Sequence, residues 1–217
     1  MKLKLLSALA FSLSLMMMSC NSATETKVTD TKASTDTVVA KKTKLNYVKE
    51  NTKVSWTAYK TTELIGVSGV FTDFEITGVE QTATPLDVVK NASITIPIAA
   101  ISSKNPERDE RIKNFFFGAM ADTDSLTGTV KELSEAGEGV LTLTMNGVTG
   151  DVPVKIAVDG LQLTFTSTFS LNDWKAQDAV KALNEECGAL HAGTDGVSFL
   201  SPDVNIVITT TLEEEAL

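Results

Sequence analysis

The chain is poor in the residues that most protein chemistry needs. It has a single histidine, two cysteines, and 19 basic against 28 acidic residues, for a formal net charge of −9. One histidine cannot supply the ligand cluster of a catalytic metal site. The acidic balance leaves no basic stripe for nucleic acid and no polybasic surface for anionic lipid. Its two cysteines, Cys20 and Cys187, do not make a disulfide framework if the first is consumed elsewhere, so stability must come from burial and backbone pairing. No nucleic-acid partner and no cofactor are expected, and the sequence is compatible with a homodimer.

The longest apolar run, Leu5 to Met18, is too short to span a bilayer, and Lys2 and Lys4 precede it as in a signal sequence. It ends in Ser19-Cys20, which resembles the lipobox of bacterial lipoproteins, with Met17 where leucine is usual. The resemblance implies removal of residues 1–19, acylation of Cys20 and attachment to a membrane through the acylated N-terminus. Asn21 follows in place of the aspartate that retains lipoproteins in the inner membrane. The expected address is therefore the bacterial outer membrane, facing the periplasm or the cell surface. Residues 20–44 are mostly Thr, Ser, Ala, Lys and Asp. They cannot bury a core and read as a flexible tether spanning roughly 25 to 30 Å.

From residue 45 to 217 the dominant signal is alternation with a period of two. Val54, Trp56 and Ala58 share one face, as do Ala92, Ile94, Ile96 and Ile98; Leu126, Gly128 and Val130; Leu141, Leu143 and Met145; Val152, Val154, Ile156 and Val158. Leu161, Leu163, Phe165, Phe169 and Leu171 alternate with polar residues, and Val204, Ile206 and Ile208 close the series. Turn signals at Glu138-Gly139, Asn146-Gly147 and Asp159-Gly160 separate the runs. About eight antiparallel strands predict an all-β fold, as a sandwich or as a closed barrel that removes its edges. An eight-stranded barrel is either filled by side chains or holds one slender ligand. Ala58, Gly69, Ala92, Gly128 and Ser167 put small residues on otherwise bulky faces, which fits a cavity or an interdigitated core equally.

Two helices interrupt the strands. In "NPERDERIKNFFFG" (105–118), Asn105 caps, Pro106 starts, Glu107/Arg111 and Asp109/Lys113 form i,i+4 pairs, and Ile112, Phe115 and Phe116 share one face. The aromatic edge either plugs one barrel end or forms a lid over a ligand entrance. The second helix runs from a cap at Asn172 or Asp173 to Gly188, with Ala176, Ala179, Val180, Leu183 and Cys187 on one face. Cys187 and His191 stand four residues apart, but a cysteine on an apolar helix face reads as a buried hydrophobe and not as a nucleophile. The acidic run Glu213 to Glu215 reads as a solvated tail. No enzymatic activity is expected.

Several pieces, in order, resemble the YceI-like family: Gly69, Phe71 and Phe74 in a G-x-F-x-x-F pattern; Arg108, Asp109, Phe115 and Phe116 in the helix; Gly147, Val148 and Thr149 at a strand entry; and Leu200, Ser201, Asp203, Val204, Ile206 and Ile208 at the close. The resemblance implies an eight-stranded, up-and-down, lipocalin-like barrel that binds an apolar, isoprenoid-like lipid in the cell envelope. The expected lining is Trp56, Phe71, Ile94, Ile96, Phe115, Phe116, Leu143, Phe165 and Phe169. The segments after Gly118 and after Leu171 depart from the family pattern, so the barrel mouth is expected to be remodelled. The rival reading is a filled barrel acting as an envelope interaction or stress-protection module.

Overall fold

The structure, a computed structural model, describes residues 43–216. The expected signal segment, Cys20 and most of the tether lie outside the described residues. The last two tether residues are already in a strand: β1 (Thr43–Asn46) pairs antiparallel with β12 (Glu213–Ala216), placing Lys44 opposite Glu215. The acidic run expected as a tail is thus an exposed ribbon, bonded by Asn46 Nδ2 to Glu215 (2.9 Å) and by Asn51 Nδ2 to Glu213 (3.0 Å).

The other strands are β2 (Thr52–Lys60), β3 (Ile65–Phe71), β4 (Glu75–Thr77), β5 (Ser93–Pro97), β6 (Ile101–Ser102), β7 (Ser125–Leu133), β8 (Glu138–Met145), β9 (Val148–Asp159), β10 (Gln162–Ser170) and β11 (Leu200–Thr211). They form one antiparallel sheet in the order β4-β5-β7-β8-β9-β10-β11-β2-β3-β6. Its two ends are halves of the same chain runs. β3 bends into β4 and β5 into β6, with β3 pairing β6 and β4 pairing β5. Thr72 N–H donates to Ala100 O (2.8 Å) across the bend. Counting each bent run once, the strands number eight, and the sheet closes on itself with up-and-down connections. Closure gives every run of the ring a neighbour on both sides, although β3 meets β6 only at Val70 and Phe71.

The interior is built from the alternation. Val54, Trp56 and Ala58 on β2 stand opposite Ile208, Ile206 and Val204 on β11, and Phe165 on β10 stands between Ile156 and Ile208. Val158 continues the same series but is exposed, because β9 runs past the rim. The turns are shifted from the sequence signals at two places. Asn146 and Gly147 both take positive φ, as a type I′ turn requires. The next hairpin turns on Gly160-Leu161, since Asp159 still pairs with Gln162. At the β7–β8 connection the positive φ belongs to Gly137, and Glu138-Gly139 is already strand.

The two barrel ends are closed differently. At one, α1 (Pro85–Val89) inserts the fully buried Val88 beside Leu45, Ile156, Leu163 and Leu212. At the other lie α2 (Pro106–Arg111), a π-turn over Ile112–Phe116, and α3 (Gln177–Glu186). The second helix starts later than expected because Lys175 takes a left-handed conformation (φ 53°), which separates α3 from the turn Leu171–Trp174. That break lets Trp174, 1% exposed, drop into the core, where its Nε1 donates to Leu143 O (3.0 Å) and its ring meets Phe169 edge-on at 5.1 Å.

Gly69 is where one ring is accommodated against the wall. A Cβ there would stand 2.6 Å from Cε2 of Trp56, with Ser102 O equally close on the other side. Gly69→Ala should therefore overpack and cost about 1–3 kcal/mol. Thermal unfolding should show a melting temperature several degrees lower.

Candidate functional site

Within the barrel the described residues enclose two apolar cavities at successive levels. The first, about 80 Å³, is lined by residues including Tyr47, Ile76, Ile94, Gly128, Leu163, Phe165 and Ile208, toward the α1 end. The second, about 100 Å³, is lined by residues including Trp56, Phe71, Phe116, Leu126, Phe169 and Ile206, toward the α3 end. The same strands serve both: β10 gives Phe165 to one and Phe169 to the other, and β7 gives Gly128 and Leu126. They lie at consecutive levels of the apolar barrel interior, the tube, and no residue lines both.

The small residues explain where the space is. Ala92 borders the first cavity and Ala58 the second; Gly128 also lines the first, but Leu141 and Ile94 already fill the place of its side chain, since a Cβ there would meet them at 3.2 and 3.3 Å. Gly69 and Ser167 leave no gap either. The first receives Trp56, and the second is buried with its hydroxyl donating to Pro153 O (2.9 Å).

Of the nine expected lining residues, Trp56, Phe71, Phe116 and Phe169 line the second cavity, and Ile94 and Phe165 the first. Ile96 is buried in the wall beside Trp56 and Phe71, and Leu143 packs on the Trp174 cluster, so neither borders a cavity. Phe115 is 38% exposed and lines none of the cavities, while Phe117 is 7% exposed and joins the core. The π-turn is the cause. Phe117 N–H bonds Ile112 O, five residues back, and the wider turn carries Phe116 and Phe117 inward where α-helical spacing would have carried Phe115. Phe116 and Phe117 meet edge-on at 4.8 Å.

The second cavity continues into a vestibule of about 270 Å³, sharing Trp56, Ala58, Ile112, Leu183 and Leu200 with it and adding Lys60, Arg108, Arg111, Cys187 and His191. Its walls are tied in place. Asn105 Oδ1 accepts from Arg108 N–H (3.0 Å) as the cap of α2. Asp109, expected to pair with Lys113 at the surface, is buried and accepts from Ser103 N–H (2.8 Å) and the Ser103 hydroxyl. Lys113 turns to Glu110 instead (3.0 Å). Arg108 donates from Nε to Ser103 Oγ (2.7 Å) and from Nη2 to Ser103 O (2.8 Å). On the facing side, a short loop over 188–199 is held to the β2–β3 turn by Thr61 N–H to Phe199 O (2.8 Å), Lys60 Nζ to Leu190 O (2.7 Å) and Thr62 Oγ1 to Asp195 (2.7 Å). Glu63 accepts from Thr194 Oγ1 (2.6 Å) and N–H (3.0 Å), and that hydroxyl above all holds its carboxylate down at about 2.

Cys187 and His191 lie in this wall, both buried. Burial pushes the thiol up, against nucleophilic character, and His191 Nδ1 is engaged by Asn184 Oδ1 at 2.9 Å. Among the described residues no group of three metal-ligating side chains comes together. Reading the sequence by alternation missed the vestibule, because Lys60, Arg108 and Arg111 come from a strand end and a helix that have no common period.

A family model described as the YceI-like domain matches residues 45–212. The chain belongs to that family. Among solved structures it is similar to Burkholderia cenocepacia BcnA (16% identity, TM-score 0.51, covering 77% of this chain and 98% of that one). It is likewise similar to a polyisoprenoid binding domain from Saccharophagus degradans implicated in plant cell wall breakdown (14% identity, TM-score 0.50, covering 82% and 99%). At these identities the likeness is one of fold. No curated protein matches the chain. In this YceI-like barrel the residues of the family resemblance have structural work: Gly69 makes room for Trp56, Arg108 and Asp109 fasten α2 to Ser103, and Gly147 turns a hairpin.

Burial, and behind it the Lys60 charge, hold His191 below its ordinary 6.5. As pH falls the unfolded chain takes up this proton first, so stability should decline as pH drops through about 6.5 and level off only below the depressed folded value. His191 is the one histidine, which leaves that window otherwise clear. Urea unfolding between pH 7.5 and 5.5 should show this slope, and His191→Gln should flatten it.

Proposed function

We propose that the protein binds a slender, apolar, isoprenoid-like lipid in the barrel, carrying or sequestering it within the bacterial cell envelope. The observation that carries this reading is the two-level apolar tube, bordered by Ala58, Ala92 and Gly128 and continuous at one end with a vestibule. Preformed concave sites lined by hydrophobic and aromatic side chains are what apolar ligands occupy. The similarity in fold to a domain named for polyisoprenoid binding supports the same ligand class. The unfilled levels favour a ligand over the rival filled barrel. With Cys187 buried and its thiol pushed up, the barrel acts by binding and not by catalysis.

Ala58 tests the reading directly, because it stands in both the second cavity and the vestibule. Ala58→Phe should occlude the throat. Equilibrium titration with farnesol should saturate the native protein and show at least a tenfold weaker affinity in the variant, each such factor being about 1.4 kcal/mol. Retained β-sheet circular dichroism checks that the variant is folded. Native-like farnesol binding by a folded Ala58→Phe protein would contradict an interior site.

The same proposal places the barrel on a membrane through an acylated Cys20, in the outer membrane because Asn21 follows it. Cys20→Ser should release the protein from the membrane fraction while leaving thermal unfolding unchanged. Continued sedimentation with membranes would remove the anchor from the account.

A further inference from the structure

The vestibule is opposite in charge to the chain's net balance. The chain carries a net −9, yet the residues lining this cavity include Lys60, Arg108 and Arg111 and no aspartate or glutamate. Among the described residues, Lys60 and Arg108 form no ion pair, and Arg111 reaches only the flanking Glu107 (3.8 Å) and Glu186 (3.9 Å) at the long limit of a salt bridge. Two of the acceptors in the wall are already engaged. Asn105 Oδ1 takes Arg108 N–H (3.0 Å), and the Tyr59 hydroxyl takes the Asn205 amide. At the inner edge, Trp56 is 6% exposed and its Nε1 donor finds no acceptor among the described residues. A buried N–H without a partner is costly, and cations beside an apolar wall are strengthened in their pull on an anion by the low local dielectric.

Donors therefore outnumber acceptors where the apolar tube opens. Arg108 is also preorganised: its Nε and Nη2 are fixed on Ser103 (2.7 and 2.8 Å), which orients the plane of the guanidinium and leaves its other N–H groups uncommitted. Lys60, lining the same cavity, is held by Leu190 O (2.7 Å). A neutral hydroxyl would accept from one or two of these donors and leave their charge uncompensated, whereas an oxyanion would satisfy several at once and offset that charge.

We propose that the vestibule is an oxyanion site, and that the ligand is an amphiphile whose apolar chain enters the tube while a terminal phosphate sits among Lys60, Arg108 and Arg111. This rests on the lipid-binding reading and adds the chemistry of the head. The test measures Kd of the full chain for three probes: farnesyl monophosphate, farnesol and inorganic phosphate. Farnesyl monophosphate should bind at least about tenfold more tightly than farnesol, the scale expected of charge-assisted hydrogen bonds. Added salt should erode that advantage and leave farnesol unaffected. The double variant Lys60→Gln/Arg111→Gln should bring farnesyl monophosphate to the farnesol value without changing farnesol, which also shows that the variant is folded. Equal affinity of the two prenyl probes for the native protein overturns the oxyanion site and leaves the lipid-binding reading standing. Inorganic phosphate binding as tightly as farnesyl monophosphate overturns the amphiphile, since the chain would then contribute nothing. Failure of both prenyl probes overturns the lipid-binding reading itself and the inference with it. The native comparison and its salt dependence decide the matter even if the double variant does not fold.

Discussion

Backbone pairing through two bent runs is the constraint on which the rest of this molecule depends. Because β3 pairs β6 and β4 pairs β5, the run 65–77 and the run 93–102 join the ends of an antiparallel ladder into a ring. A ring has one inside. Every second residue of eight strands must then point at a common axis, where their summed bulk decides whether space remains. Large side chains at Trp56, Phe71, Phe165 and Phe169 consume most of it. Ala58 and Ala92 return some of it at two levels, and the apolar cavities lie there.

The polarity of the tube follows from how its ends are closed. Val88 and Leu212, each at most 1% exposed, seal one end with apolar packing. The other end is covered by α2, the π-turn and α3, which pack on the second cavity through Phe116, Phe117 and Leu183 but keep Lys60, Arg108 and Arg111 facing the gap between helix and strand end. The Ser103–Arg108–Asp109 hydrogen bonds hold that arrangement without any further charge: the one acid in the cluster, Asp109, is turned to Ser103 and away from the vestibule. A carboxylate sequestered in this way leaves Arg108, bonded to Ser103, without an ion pair among the described residues.

What could be read in the sequence was what repeats. Alternation located β2, β5 and β7 to β11 and assigned their inward faces, since burial on one side of a strand imposes a period of two. It also yielded the count of about eight strands, once the bent runs are counted whole, while the choice of barrel over sandwich came from the family resemblance. Features set by a single residue's backbone were not legible. The π-turn that exchanges Phe115 for Phe117, the left-handed Lys175 that drops Trp174 into the core, and the one-residue displacement of the turn to Gly160-Leu161 leave no periodic trace. β12 was missed because an exposed ribbon of glutamates needs no apolar face. Six of the nine expected lining residues border a cavity, whereas Ile96, Leu143 and Phe115 show that inward direction on a strand or helix does not specify which residue meets the empty space.

The central claim is that the interior tube exists to be occupied by an apolar chain. Mass spectrometry of an organic extract from natively purified protein tests it most directly. The account predicts an apolar, isoprenoid-type lipid in the extract, near one molecule per chain, and its loss on washing with an excess of prenyl alcohol. An extract free of such lipid, together with a native mass equal to that of the chain alone and no uptake of added prenyl alcohol, would contradict it.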